Sequence, residues 1–453
     1  MIRIVLTILF SILTLMLATS CNESPTAPQT GSNGDSMAIF IQQPMLSSKT
    51  TTGFAFSLET NLDGKIYFVV LTNNAPKPSK EDVVAGSNSV VKGNFTVQAE
   101  KAVQQIVTGL AMGTSYDLYA VLEDEQSATT QVSTKLFVTT SLSGLAVQGN
   151  RIVDMNGREK VLRGVAVVDP LVWQDYHGGG LPPREIDFAV LAQEWQAKIV
   201  RVPIHPDLLE HNPNYLRDYV DVLVEWGDKY GIYVFIGYHA HGNPNTEQVE
   251  ETPWGNNLPW HGNPYNPNKA LAISSLSSIA ERYKDKQWVI YGTFNEPAFI
   301  TWREWRPEAE DLVDAIRAIH PEALVMVSGV NFGSELDGVL GNPINRTNIV
   351  YEVHPYPWAG EGWKNIVAEL SQVYPVFLGE WGFGEGQPGT AQEYGVPLVD
   401  YCKQYNLGWT AWIWDNVWTP KMFHSTSHTD LTEFGAVVKN ALTEMQSLAQ
   451  LAY

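Results

Sequence analysis

Trp288-Val289-Ile290-Tyr291-Gly292-Thr293-Phe294-Asn295-Glu296-Pro297 runs through β-type apolar residues and stops on two polar ones. A strand buried on both faces reads as such an unbroken apolar run. Seven more runs flank it: Leu162–Val167, Ile199–Pro203, Tyr233–Gly237, Leu324–Ser328, Ile349–His354, Val376–Leu378 and Gly408–Trp412. Each is followed by enough chain for a crossover. Tyr215–Tyr230, Ala270–Tyr283 and Glu308–His320 carry apolar residues at three- and four-residue spacing, the helical period. Eight β-then-α units over about 310 residues predict an α/β fold, a (β/α)8 TIM barrel spanning 142–453. An open doubly wound sheet is the structural rival, but no glycine-rich phosphate loop follows the first strand.

The 141 residues before the barrel units read differently. From 38 to 141 short β-rich runs are split by turn residues: Phe54–Leu58 and Tyr116–Val121 alternate, and Ile66–Leu71 is a buried-strand run. Such spacing over about 100 residues predicts a smaller N-terminal all-β sandwich. Gly109-Leu110-Ala111-Met112-Gly113-Thr114-Ser115-Tyr116 and the closing Phe137-Val138-Thr139-Thr140 resemble fibronectin type III and related immunoglobulin-like modules. With no His, no Cys and no carboxylate pair, this stretch is expected to act as a spacer or docking module. Residues 21–37 are polar and rich in Pro, Gly, Ser and Asn, as a flexible tether is.

Residues 1–20 hold one basic residue, Arg3, and an apolar run from Ile4 to Leu17, the length of a signal-peptide core. Ala18-Thr19-Ser20-Cys21 resembles a bacterial lipobox, which implies lipidation of Cys21, anchorage at the cell surface or outer membrane and a secreted protein. The alternatives are an ordinary thiol or a disulfide to Cys402, the other cysteine. If Cys21 is lipidated, Cys402 is left as a buried thiol.

The formal charge is −20, of which 142–453 carries −17, so nucleic acid and polyanionic substrates are poor partners. All 15 Trp and all ten His also lie beyond residue 172, so stacking surfaces and imidazoles belong to the barrel alone.

In such a barrel the catalytic groups stand at the C-terminal strand ends. Those ends carry Arg201, His239, Asn295 with Glu296, His354 with Tyr356, Glu380 and Trp412. Two carboxyl groups, a cation, imidazoles and aromatics are what glycoside hydrolysis needs: a proton donor, a nucleophile or base, and a sugar-stacking cleft. About 142–436 resembles glycoside hydrolase family 5, most specifically in Val289–Pro297 with its Asn-Glu-Pro and in Leu378-Gly379-Glu380-Trp381-Gly382. The resemblance implies that Glu296 is the acid/base, that Glu380 is the nucleophile and that Asn295 holds the substrate's 2-hydroxyl. It also places Arg201, His239, His354, Tyr356 and Trp412 at active-site positions. One departure stands out: the acidic residue common two places before the strand-3 His is Gly237 here, which leaves the orientation of His239 open.

Single strand-end residues also have plainer explanations: a Glu in a surface ion pair, Arg201 in a structural one, His239 and His354 satisfied in the core. His239, His241 and His261 lack compact metal-ligand spacing, and neither metal nor cofactor is expected. Trp254 and Trp260 lie in a long Gly-, Pro- and Asn-rich loop and are candidate sugar platforms. Trp173, Trp358 and Trp381 are further candidates, while Trp195, Trp226, Trp288 and Trp363 read as core and Trp414 and Trp418 fit either role. The expected function is a retaining endo-β-1,4-glucanase acting as a monomer on β-linked polysaccharide. A β-mannanase or other β-glycanase of the family is the alternative, and a non-catalytic surface glycan-binding protein is the rival from outside enzymology.

Overall fold

The computed structural model describes residues 37–172, 183–249 and 264–450, with side chains to Glu444. Cys21, most of the expected tether, Trp173, Trp254 and Trp260 lie outside the described residues. Seven strands come first: β1 (Phe40–Thr50), β2 (Gly53–Thr60), β3 (Gly64–Thr72), β4 (Val91–Val97), β5 (Val103–Thr108), β6 (Ser115–Asp124) and β7 (Leu136–Thr139). They pair antiparallel in two sheets, β1-β2-β5 and β4-β3-β6-β7. Alternation turns Phe56 and Leu58 of β2, Ile66 and Phe68 of β3, and Leu118 and Ala120 of β6 into one core. Phe56 meets Phe68 edge to face at 5.4 Å. The Tyr116 hydroxyl accepts from the Ala111 N–H at 3.0 Å, tying the entry of β6 to the turn before it.

A hairpin, β8 (Leu145–Gln148) with β9 (Arg151–Asp154), leads into the barrel strands β10 (Arg163–Ala166), β11 (Ile199–Ile204) and β12 (Tyr233–Tyr238). After the two-residue β13 (His241–Gly242) come β14 (Val289–Gly292), the two-residue β15 (Glu296–Pro297), and β16 (Val325–Ser328). Then come β17 (Ile349–Val353), β18 (Val376–Leu378) and β19 (Gly408–Ala411). Eight of these, β10-β11-β12-β14-β16-β17-β18-β19, close into a parallel barrel through the β10–β19 pairing. All eight expected runs become barrel strands, in order.

The two-residue period of the strands builds the interior in layers. At the N-terminal end Ile199, Phe235, Ile290, Met326, Val350 and Phe377 fill the axis as one apolar cluster. Two residues further along the same faces stand Arg201, Gly237, Gly292, Glu352 and Gly379. One more step brings His239, His354 and Trp412 to the rim. The opposite faces, including Val200, Val202, Val234 and Ile236, pack under the surrounding helices.

Two helices differ from expectation at their starts. The stretch expected at Glu308–His320 is a helix over Trp302–Arg317. Thr301 caps it by accepting from the Glu304 N–H while Glu304 accepts from the Thr301 N–H, so the cap sets the start and Pro307 is carried inside. Tyr215–Tyr230 opens with a π-turn over Leu216–Val220 before the α-helix Asp221–Tyr230.

The sandwich packs against the N-terminal end of the barrel, away from the strand ends that carry chemistry. Phe137 lies 6.2 Å from the Tyr230 ring, Lys49 Nζ is 3.0 Å from Asp228 Oδ1, and Asn74 Nδ2 donates to the Gln193 carbonyl at 3.2 Å. Tyr230 and Asp228 sit in the turn of chain that enters β12, which defines that end.

Gly164 marks the tightest strand contact: a Cβ there would stand 1.7 Å from the Ile199 carbonyl oxygen across the β10–β11 pair. Because that neighbour is backbone, Gly164→Ala should destabilise the protein by about 1–3 kcal/mol. Thermal unfolding would register this as a lower Tm, and an unchanged Tm would contradict the packing.

Candidate active site

The guanidinium of Arg201 is fully buried inside the barrel, 5.3 Å above the Phe235 ring. Its Nη1 donates to Glu380 Oε1 at 2.6 Å, its Nη2 donates to Asn295 Oδ1, and its Nε lies 3.6 Å from Glu352 Oε1. Tyr356 donates its hydroxyl to the other oxygen of Glu380 at 3.0 Å. Glu380 therefore accepts on both oxygens, the arrangement of an ionised carboxylate.

Glu296 is held differently. The two-residue β13–β15 pairing, with the Glu296 N–H donating to the Ala240 carbonyl, fixes its backbone over the barrel mouth. His354 Nδ1 meets Glu296 Oε1 at 3.0 Å, and His241 Nδ1 lies 3.5 Å from Oε2. Burial raises the Glu296 carboxyl above its usual range, the His354 contact pulls it down, and the charge of Glu380 raises it again, with a net rise. Burial lowers the His354 imidazole, but Glu380, Glu296 and Glu352 outweigh it and hold the ring up at about 10. One oxygen of Glu296 and one of Glu380 lie within 4.8 Å of each other.

His239 is buried, and its orientation, left open by Gly237, is settled by its ring partners. Its ring stacks flat on Trp412, with centroids 5.4 Å apart and planes 5° apart. On the other side it meets His205 at 4.7 Å, and Asp169 Oδ2 fixes His205 through Nδ1 at 2.9 Å. A Cβ on Gly237 would be 3.4 Å from the Arg201 guanidinium, so glycine leaves that cation its room. Burial and the neighbouring His205 and His241 depress His239, which is accordingly a neutral ring.

The cleft above these groups has a volume of about 470 Å³, and Trp358, Trp412, Trp418, Phe332, Tyr265 and Gln387 are among its walls. Trp412 stands perpendicular to Trp418 at 6.4 Å, and Trp358 is 48 % exposed, open enough to meet a ligand. Trp381 is not a platform: it is buried between Trp409 and Phe434, with centroids 5.3 and 5.4 Å away. Strand β18 ends at Leu378, before both Glu380 and Trp381, and Trp381 joins the core cluster packed under the helices. Trp414 is core as well, packed on Trp195 and Phe423. Cys402 is buried, with its thiol pushed up to about 12 by burial.

Arg201, His239, Asn295, Glu296, His354, Tyr356, Glu380 and Trp412 converge at this cleft, and Trp381 does not. Several others were missed. Glu352 accepts from His354 Nε2 at 3.1 Å, and its spacing of two residues from His354 on one strand is the signal that would have found it. His241 Nε2 accepts from Asn295 Nδ2 at 3.0 Å, and the His241 ring stacks on Tyr265 at 4.0 Å. Tyr265 and the Asp169–His205 pair carry no sequence signal of their own. Among the described residues, two groups bring metal-ligand atom types together, Asp207-Glu210-His211 and Glu296-His354-Glu380. In the second, Arg201 and His354 already balance the carboxylates. The first lies on a short surface helix outside the cleft.

The sequence model of the family described as cellulase (glycosyl hydrolase family 5) matches residues 153–417. The chain is 27 % identical over 280 residues to Endoglucanase E-5 of Thermobifida fusca, covering 59 % of this chain and 54 % of that one. It is 26 % identical over 314 residues to Endoglucanase Z of Dickeya dadantii, covering 67 % of each. It thus spans about half to two thirds of the length of these relatives. A β-glucanase structure from Saccharophagus degradans superposes with a TM-score of 0.60 at 26 % identity, covering 68 % of this chain and 95 % of that one. The same β-glucanase has been solved with cellotetraose, and that structure matches at 25 % identity with the same TM-score and coverage.

The opposed settings of the two carboxyl groups are measurable. A 13C titration of the Glu296 side chain should give a midpoint above the ordinary 4.5, and Glu380→Gln should lower it by removing a neighbouring negative charge. A midpoint that Glu380→Gln leaves in place would contradict the coupling.

Proposed function

We propose that this chain, which belongs to glycosyl hydrolase family 5, is a retaining endo-β-1,4-glucanase acting through Glu380 as nucleophile and Glu296 as acid/base. One observation carries it: two carboxyl groups, Glu380 buried and Glu296 partly so, with oxygens within 4.8 Å, one clamped by donors and the other pushed toward its protonated form. Retaining glycosidases hold such a pair about 5–5.5 Å apart, whereas inverting enzymes leave room for a water at about 6.5–9.5 Å.

In the first step a Glu380 oxygen bonds to the anomeric carbon as the glycosidic C–O bond breaks, and Glu296 gives its proton to the departing oxygen. Glu296 is then a carboxylate, and the Glu380 charge is spent in the ester. In the second step Glu296 takes a proton from water as that water attacks the anomeric carbon and releases Glu380. Arg201 and Tyr356 orient the nucleophile, Asn295 is held by Arg201 to face the sugar, and the His239–Trp412 stack offers the sugar a flat aromatic wall.

Glucan is proposed because the relatives are endoglucanases and the matching β-glucanase was solved with cellotetraose. Glu296→Gln should lower kcat on soluble β-1,4-glucan by about a hundred- to ten-thousandfold, and Glu380→Gln at least as much. Hydrolysis that survives both changes would refute the site, whereas a wild-type protein that binds β-glycans and hydrolyses none would favour a glycan-binding role. Initial rates higher on β-mannan than on β-glucan would move the substrate to mannan.

We also propose that the protein is anchored by a lipid on Cys21, with the sandwich as a monomeric spacer between membrane and cleft. The lipobox-like Ala18–Cys21 and the placement of the sandwich at the barrel end remote from the cleft support this. Fatty-acid labelling of the expressed protein that persists in Cys21→Ser would overturn the anchor.

A further inference from the structure

Glu352 has no part in the two chemical steps, yet it is a carboxylate 2 % exposed at the centre of the barrel. It occupies space made for it: a Cβ on Gly379 would fall 1.7 Å from Glu352 Oε1, so the residue before the nucleophile has to be glycine while this carboxylate is there. The same Oε1 lies 3.1 Å from His354 Nε2 and 3.6 Å from Arg201 Nε. It therefore touches the cation serving each catalytic carboxyl group, since His354 reaches Glu296 and Arg201 reaches Glu380.

We propose that Glu352 is a positioning residue that keeps Glu296 protonated in the resting enzyme, acting through His354. It rests on the assignment of Glu296 as acid/base. The charges decide the direction. Arg201 and the imidazolium of His354 bring two positive charges, and Glu380 and Glu352 bring two negative ones. The cluster is neutral while Glu296 keeps its proton and becomes net negative when Glu296 loses it. Without Glu352 the neutral state would be the one with Glu296 ionised, the wrong form for the first step.

Among the described residues, the groups around Glu296 come from four parts of the barrel. His354 and Glu352 come from β17, Tyr356 from the loop after it, Glu380 from the end of β18 and Arg201 from β11. His239 and His241 follow β12 and are depressed toward their neutral forms, and Tyr265 is a phenol whose ionisation burial opposes. The shared proton belongs to the Glu296–His354 pair as a unit, so removing a negative charge lowers the pair's macroscopic pKa whichever atom holds the proton.

The test is the pH profile of kcat/KM on cellopentaose, which reports the free enzyme. Glu352→Gln, nearly isosteric beside Gly379, should move the alkaline limb down by about one pH unit. Glu352→Asp, which keeps the charge but draws it back from His354, should move it the same way by less. It carries the test alone if the Gln variant does not fold. An alkaline limb that stays in place or rises in a folded variant overturns the proposal, however much kcat falls, because a merely structural role would lower the rate without moving the limb. A wild-type enzyme that hydrolyses no β-glycan would instead sink the assignment of the acid/base.

Discussion

A buried guanidinium sets the terms for everything around it. Arg201 sits where the apolar plug of the barrel ends, and a charge there is tolerated only if it is paired and hydrogen-bonded. Glu380, Asn295 and Glu352 supply those partners from β18, β14 and β17, so three strands must hold the register that delivers them. Phe235 lies beneath the cation and Gly237 beside it, one supporting its face and the other leaving it room. The carboxylate proposed as nucleophile is thus also the counter-ion that lets the barrel close over a charge. Structure and chemistry share one ion pair.

The layering explains why this region is so dense in function. A strand shows the barrel axis only every second residue, so an apolar residue, a charged one and a rim residue follow each other along one face. On β17 these are Val350, Glu352 and His354. Apolar packing is finished two residues before the first charge. The buried groups that remain are joined through contacts of 2.6–3.6 Å that leave few of their polar atoms unmatched.

Much of this was legible in the sequence for a physical reason. Parallel strands covered on both faces must be apolar throughout, and all eight stood out for that. The residues where those runs turn polar are the site. What stayed hidden depends on tertiary neighbours. Glu352 looks like one polar residue inside Ile349–His354, and only the facing Gly379 and Arg201 give it meaning. Tyr265 enters from a loop, and the Asp169–His205 pair acts by steadying His239 from behind. Trp381 looked like a platform because it follows a barrel strand, yet it packs into the core against Trp409 and Phe434. The helix start at Trp302 was obscured by Pro307, which a strong capping box overrides.

The central claim is a division of labour between two carboxyl groups that the fold places in contrasting settings. Mass spectrometry of the enzyme after incubation with a 2-deoxy-2-fluoro-β-cellobiosyl fluoride tests it most directly, because the 2-fluorine slows both oxocarbenium-like steps while the departing fluoride speeds only the first, so the intermediate accumulates. The account predicts one added 2-fluorocellobiosyl group, mapped to the peptide containing Glu380. A label on Glu296, or turnover with inversion and no labelled enzyme, would contradict it.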